Sequence, residues 1–301
     1  MIVPRTSYVE ATARRRVEAV LDHDSFWEFL PPEERVTSPH LSQLDLPVAF
    51  DDGVVVGGGT VQGRRVLLAA QEGAFMGGAV GEVHGAKLTG LFARAVDERP
   101  DAVVLLLESG GVRLHEANAG LIAVSEIIRA LLAARGRGIR VLAVIGGGVG
   151  CFGGMGIVAR CCDAVIMLEE GRLGMSGPEV IEMAGGVEEL DSRDKALVWR
   201  TFGGKHRYLL GDCEYLVEDD VAAIRESIHQ ALEAASGFEL EQLEAEHALL
   251  EKRLRELAHL HDAIDMWRAL GLPDPDTLPM LDLARFTPIA HRARSFWKGE
   301  G

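Results

Sequence analysis

One local pattern recurs along the first half of the chain: a short, mainly apolar run, a glycine doublet, then a segment of helical periodicity. Residues 66–71 lead to Gly77-Gly78 and a predicted helix over about 82–98. Residues 102–107 (Ala-Val-Val-Leu-Leu-Leu) lead to Gly110-Gly111 and a helix over about 117–135. Residues 139–145 lead to the Gly146–Gly154 turn and a short helix ending near Arg160, and a further strand, Ala164–Leu168, precedes Gly171 and Gly174. Strands with a continuous apolar stretch must be covered on both faces, so the pattern predicts an α/β fold around a mostly parallel sheet. Glycine accepts positive φ and admits close approach of the backbone. A doublet at a strand-to-helix turn therefore leaves successive N–H groups free to meet an anion.

The ends of the chain read differently. Residues 7–30 read as a helix, with Val9, Val17, Val20 and Leu21 in phase and the aromatic cluster Phe26, Trp27 and Phe29 before Pro31-Pro32 stops it. Residues 31–47 read as loop. From 48 to 72 strands are expected, with Gly57-Gly58-Gly59 and Gly63 as interrupting turns. A helix is predicted over 218–235. Beyond Gly237, Leu240, Leu243, His247, Leu250, Leu254, Leu257, His261 and Ile264 keep an alternating three-four spacing, a narrow coiled-coil-like seam that needs a partner helix. Its two histidines lie about 21 Å apart along a helix, so they read as seam residues rather than metal ligands. Residues 271–301 read as a proline-interrupted tail. The expected organisation is an N-terminal helical segment (1–47), a central domain (48–235) and a C-terminal helix with tail (236–301).

Composition narrows the function. A formal charge of −15 argues against binding duplex nucleic acid. The four cysteines (151, 161, 162 and 213) show no metal-ligand or disulfide spacing, which suggests a reduced, cytoplasmic setting and no metal. The N-terminus lacks the apolar core of a signal peptide. Residues 141–159 carry no charge and hold two GxxxG spacings (146/150 and 150/154). Their glycine density, and Arg140 and Arg160 at the two ends, fit a strand, turn and helix better than a membrane span.

Three chemistries compete for the glycine turns. Gly148-x-Gly150-x-x-Gly153, with Glu169 and Glu170 downstream, matches a dinucleotide fingerprint and would imply an NAD-binding oxidoreductase. That fingerprint belongs to the opening βα turn of its domain, however, and two similar units precede this one. Ser109 and Ser176 could be hydrolase nucleophiles, yet neither completes a G-x-S-x-G elbow. The third reading takes the turns as oxyanion holes, in which preorganised N–H donors stabilise an enolate formed from a thioester.

The residues from Phe75 to Lys87 (Phe-Met-Gly-Gly-Ala-Val-Gly-Glu-Val-His-Gly-Ala-Lys), from Glu108 to Glu116 (Glu-Ser-Gly-Gly-Val-Arg-Leu-His-Glu) and from Gly174 to Val180 resemble the β-type half of acyl-thioester carboxyltransferases. The resemblance implies the crotonase/ClpP fold, a spiral of stacked ββα units, here with added N- and C-terminal helices. Two further stretches, Gly150–Asp163 and Asp191–Arg207, are similar to malonate decarboxylase β subunits, a likeness that runs over roughly residues 5–235. No family signal is found beyond 240. Many family members read Asp-Ser-Gly-Gly-Ala where this chain has Glu108 and Val112. The four-cysteine zinc ribbon of bacterial acetyl-CoA carboxylase β subunits has no counterpart here.

The resemblance implies decarboxylation of a malonyl thioester on an acyl carrier protein to the acetyl thioester and CO2. A γ subunit would face this chain, with an acyltransferase subunit in the same system. No cofactor would bind directly; the carrier's CoA-like, phosphopantetheine-type arm would bring the substrate. Carried over by motif, Gly110, Gly111, Val112, Gly153 and Gly154 would supply the oxyanion amides. Gly77, Gly78, Ser176 and Gly177 fall to substrate binding. Arg113 could steer an anionic substrate or pair with Glu108 or Glu116. Lys205-His206-Arg207 could meet the arm's phosphates or form a solvated basic turn. His84 and His115 are candidate proton donors. A biotin-dependent carboxyltransferase β subunit, or a non-catalytic scaffold that completes a partner's site, would share these features.

Overall fold

The computed structural model describes residues 7–234 and 237–298. Its centre is one sheet whose strands lie side by side in chain order: β1 (Trp27–Glu28), β2 (Val54–Val61), β3 (Arg64–Gln71), β4 (Ala102–Leu107), β5 (Arg140–Ile145), β6 (Ala164–Leu168) and β7 (Tyr215–Val217). β1 and β3 flank β2 antiparallel, and β3 to β7 run parallel. In chain order the helices are α1 (Ala13–Val20), α2 (Glu82–Glu98), α3 (Ala119–Arg135), α4 (Gly154–Arg160), α5 (Pro178–Gly185), α6 (Lys195–Phe202), α7 (Gly204–Leu210), α8 (Val221–Glu233), α9 (Leu240–Leu257), α10 (Ala263–Ala269) and α11 (Leu283–Lys298).

The uninterrupted apolar runs serve both faces of this sheet. Val103, Leu105 and Leu107 of β4 join a core with α2, α3, α4, α10 and α11. Val104 and Leu106 point the other way, into a second core closed by α1 and α8. Two-residue alternation inside an all-apolar strand is what a doubly covered sheet requires.

Past the ends of the parallel strands the chain pairs again. Isolated bridges join Val80 to Val112, Ser109 to Cys151, Cys151 to Leu173 and Arg172 to Gly203. Each repeat is thus a strand, a second short pairing segment and a helix, stacked on the previous one.

Several expectations are corrected. The helix expected over 7–30 covers only Ala13–Val20 among the described residues, and Trp27–Glu28 forms an edge strand instead. Gly57, Gly58 and Gly59 are not a turn but the middle of β2. A Cβ at Gly58 would overlap the Trp27 indole, and one at Gly59 would sit 2.6 Å from Leu21 Cδ1, so the glycines let β1 and its aromatic ring lie flat on β2. Gly63 is a turn as expected, with φ of +78° after Gln62 at +48°.

The segment expected as tail holds α11, which buries Phe286, Ala290, Ala293 and Trp297 despite Pro288. Residues 299–301 lie outside the described residues. The seam helix ends at Leu257, before His261 and Ile264, and Leu240, Leu243, Leu250 and Leu254 are exposed. The stretch 141–159 is β5, a turn and α4, and no helix among the described residues is long and apolar enough to cross a membrane.

Candidate active site

The glycine turns after β4 and β5 lie against each other. Ser109 N–H donates to Gly150 O and Phe152 N–H to Ser109 O, both at 2.8 Å, so residues 109–112 run alongside 151–154. Gly153 holds φ +62° and ψ −138°, and Gly111 holds φ +136°, conformations that side chains resist. Of the five amides expected to face an oxyanion, three are already used. Gly110 N–H donates to Gly77 O at 2.8 Å and Gly153 N–H to Met175 O at 3.1 Å. Gly111 N–H reaches Ser109 Oγ at 3.2 Å. The Val112 and Gly154 N–H groups have no hydrogen-bond partner among the described residues. Gly77 and Gly78 serve the frame: a Cβ at Gly78 would overlap Glu108 O, and Gly77 O receives the Gly110 amide.

Beneath these turns lies a buried polar network. Arg113 is fully buried and pairs with Asp52, Nη1 to Oδ2 at 2.8 Å and Nη2 to Asp52 O at 2.8 Å, with Glu116 at 3.6 Å. Its planar head stacks near Phe75. The expected pairing with Glu116 holds and that with Glu108 does not; a guanidinium held this way has no freedom to steer a substrate. Glu108 pairs instead with buried Arg16 from α1. His84 is wholly buried and accepts from Gln71 Nε2 at 3.1 Å. Burial, reinforced by the Arg113 and Lys87 charges, pushes its pKa down to about 3. Burial and the neighbouring cations favour its neutral form and keep it from solvent, which argues against a proton-donor role.

The family model for the carboxyl transferase domain matches residues 7–238. The chain belongs to the carboxyl transferase family. The chain is 39% identical to the malonyl-S-ACP:biotin-protein carboxyltransferase MADC of Malonomonas rubra, across 96% of its own length and 97% of that relative. Among solved structures it is similar to a chain of the Pseudomonas malonate decarboxylase hetero-tetramer in complex with malonate, with 40% identity and a TM-score of 0.81. That match covers 88% of this chain and 98% of the other. A second match, to the Pseudomonas malonate decarboxylase MdcD-MdcE hetero-dimer, has 37% identity and a TM-score of 0.65 over 82% and 96%. The crotonase-like α/β fold and an enzyme of carboxyl-group chemistry are thereby borne out. Similarity also extends past residue 240, where the motifs carried none.

Other expected residues of the chain fall away from the turns. Lys205, His206 and Arg207 are not a solvated basic turn but part of α7. Lys205 is buried; its Nζ donates to Pro279 O at 3.0 Å and Leu281 O at 2.5 Å and pairs with Glu169. It pins the C-terminal segment and has nothing left for a phosphate. Glu169, placed by the dinucleotide fingerprint to meet a ribose, is consumed in the same pair. His206 Nδ1 accepts from Trp267 Nε1 at 3.2 Å, and burial lowers its pKa to about 3.

His115 is exposed in a short turn, Leu114–Glu116, beside the 109–112 segment. Gly177 caps α5 and Ser176 is half-buried next to Met175, whose carbonyl holds Gly153. Among the described residues no group of His, Cys, Asp or Glu is placed to hold a metal. Arg16, Asp52, Gln71 and Ser109 have structural roles here that spacing did not reveal. Arg16 meets Glu108 across 92 residues, a separation no local pattern encodes.

Proposed function

We propose that this chain is the β subunit of a malonate decarboxylase, acting on a malonyl thioester carried by an acyl carrier protein. The observation that carries the proposal is the pair of unpartnered amides, Val112 and Gly154, on two turns in backbone contact. When the bond between the carboxylate carbon and Cα breaks, CO2 leaves and the electron pair moves onto the thioester oxygen as an enolate. Two fixed donors meet that charge with little reorganisation, and losing one such donor costs about 3 kcal/mol. A proton then returns to carbon, giving the acetyl thioester. Decarboxylation generates the enolate itself, so no strong base is required, in keeping with a centre built from main chain.

A cavity of about 570 Å3 adjoins the turn through Leu173, Gly174 and Met175, and Arg160 and Arg207 also line it. The arginines are paired there with Glu246 and Asp212, so it is the apolar walls rather than free cations that suit a phosphopantetheine-type arm. Leu114, Leu121, Ile122, Met175, Val180 and Met183 are exposed apolar residues around the same end of the sheet. Such a concentration fits a subunit interface, and we assign it to a γ partner. The carrier and an acyltransferase subunit complete the proposed system, in the cytoplasm.

Incubating the complex of this chain and its γ partner with malonyl-loaded carrier should release CO2 and leave the acetyl thioester. No release from an assembled complex would end the proposal. Similarity to the biotin-protein carboxyltransferase over nearly the full chain favours a second reading, transfer of the carboxyl group to biotin. Turnover that survives added avidin supports decarboxylation, and turnover abolished by avidin supports transfer.

A further inference from the structure

Glu108 has no part in the chemistry above, yet it joins the two turns that carry the free amides. It directly follows β4 and directly precedes the 109–112 turn. Its side chain crosses to the neighbouring loop, where Oε1 accepts from Val149 N–H at 3.0 Å. The other carboxylate oxygen takes Nη1 of Arg16. Two glycines make room for it: a Cβ on Gly73 or on Gly147 would lie 2.5 Å from Oε1. Glu108 N–H is held by Gln71 Oε1 at 3.1 Å. Arg16 is fixed in turn, Nε to Tyr8 O at 2.9 Å and Nη2 to Val9 O at 3.0 Å, and is 2% exposed. The carboxylate is therefore neutralised, enclosed and bonded on both sides.

We propose that Glu108 is a positioning residue: clamped by Arg16, it ties the 146–154 turn to the 109–112 turn and sets the spacing of the Val112 and Gly154 amides. The inference rests on the malonyl-thioester reading of the site for its kinetic consequence. Three successive glycines, Gly146 to Gly148, give the second turn little stiffness of its own. The Val149 bond to Glu108 adds a side-chain tie, at the glycine-rich start of the turn, to the backbone bonds that join Ser109 to Gly150 and Phe152. A misplacement of about 1 Å at a reacting centre costs on the order of 10²-fold in rate. Ground-state binding of the thioester, made elsewhere along the arm, is much less sensitive to that spacing.

The test compares Glu108→Leu, Glu108→Gln and the double variant Arg16→Met/Glu108→Leu in the assembled complex. Two quantities are read: kcat and KM with malonyl-loaded carrier, and hydrogen exchange of the 146–154 peptide. Glu108→Leu should lower kcat by about 10²-fold, leave KM within about twofold, and speed exchange in 146–154. The double variant should do the same, because an apolar pair relieves the unpaired guanidinium without restoring an acceptor for Val149. Glu108→Gln still offers a carbonyl oxygen to that amide, so it should keep slow exchange and lose only about tenfold in kcat. Wild-type kcat and exchange in the double variant would overturn the proposal, leaving Arg16–Glu108 as a structural pair only. Should Glu108→Leu fail to fold, the double and Gln variants carry the same decision. A wild-type complex that releases no CO2 would remove the proposed reaction, whereas the exchange comparison would still decide the role of Glu108.

Discussion

A Cβ on Gly153 would lie 3.1 Å from Gly111 Cα, so the turns after β4 and β5 touch through main chain with no side chain between them. The contact sets the turn that carries the Val112 amide against the turn that carries the Gly154 amide. Gly153 has no room for a larger side chain there, whereas Gly111 has open space and is glycine for its φ of +136°.

Replacing Gly153 by alanine introduces a methyl at that contact and a side chain at φ +62°. The strain is worth about 1–3 kcal/mol, and kcat should fall on the order of 10²-fold as the turns part. Gly138→Ala is the control. Its φ is +78° with open space around it, at the start of β5 and far from the turns. It should lower stability by about 1 kcal/mol and leave kcat unchanged. Equal loss of kcat in both variants would separate the Gly111–Gly153 contact from catalysis.

Val112→Pro deletes an N–H that bonds to nothing within the described residues, while the neighbouring bonds, Val80 N–H to Gly111 O and Arg113 N–H to Val80 O, involve other groups. Stability should change little, and kcat should drop about 10²- to 10³-fold, as for the loss of one oxyanion donor. Steady-state kinetics beside a denaturation curve checks both halves.

Lys205→Met removes the cation that holds Pro279 O and Leu281 O and leaves Glu169 without its partner. The variant should lose about 3 kcal/mol of stability and expose residues 270–298 to limited proteolysis. KM for the loaded carrier should stay at the wild-type value. A selective rise in KM without loss of stability would return Lys205 to the substrate site.

Buried His206 makes stability depend on pH with a definite sign. Its pKa is about 3 in the folded chain and about 6.5 when unfolded. Between those values the unfolded state binds the extra proton. Stability from this group is thus complete above about pH 6.5 and declines as pH falls, by about 1.4 kcal/mol per unit. Asp52, Glu170 and Glu214, whose pKa values burial raises, act in the opposite sense, so the informative quantity is a difference. Wild type minus His206→Gln should lose about 1.4 kcal/mol per pH unit between pH 6 and 5 in urea titrations.

The parallel strands and their helices were legible because the runs 102–107 and 141–145 are apolar at every position, and only a doubly covered sheet hides both faces. The glycine doublets marked the right turns for the same local reason. Gly57 to Gly59 misled because glycine also serves where a neighbour lies flat on a strand, and the neighbour, Trp27, is distant in sequence. The 271–298 segment misled because Pro288 hides a helix whose apolar face, from Phe286 to Trp297, only the body of the protein makes visible.

Residue order by itself determined where main chain could bend sharply and expose N–H groups, since conformational freedom at glycine is a local property. Tertiary structure decided which polar groups remained available. Arg113 meets Asp52 across 61 residues, and Lys205 meets Pro279 across 74. Each pairing spends a cation that motif spacing had offered to a substrate. Charges and hydrogen bonds are satisfied by whatever the fold brings near. The free amides of Val112 and Gly154 are accordingly a property of the packed turns, visible only once every other partner has been placed.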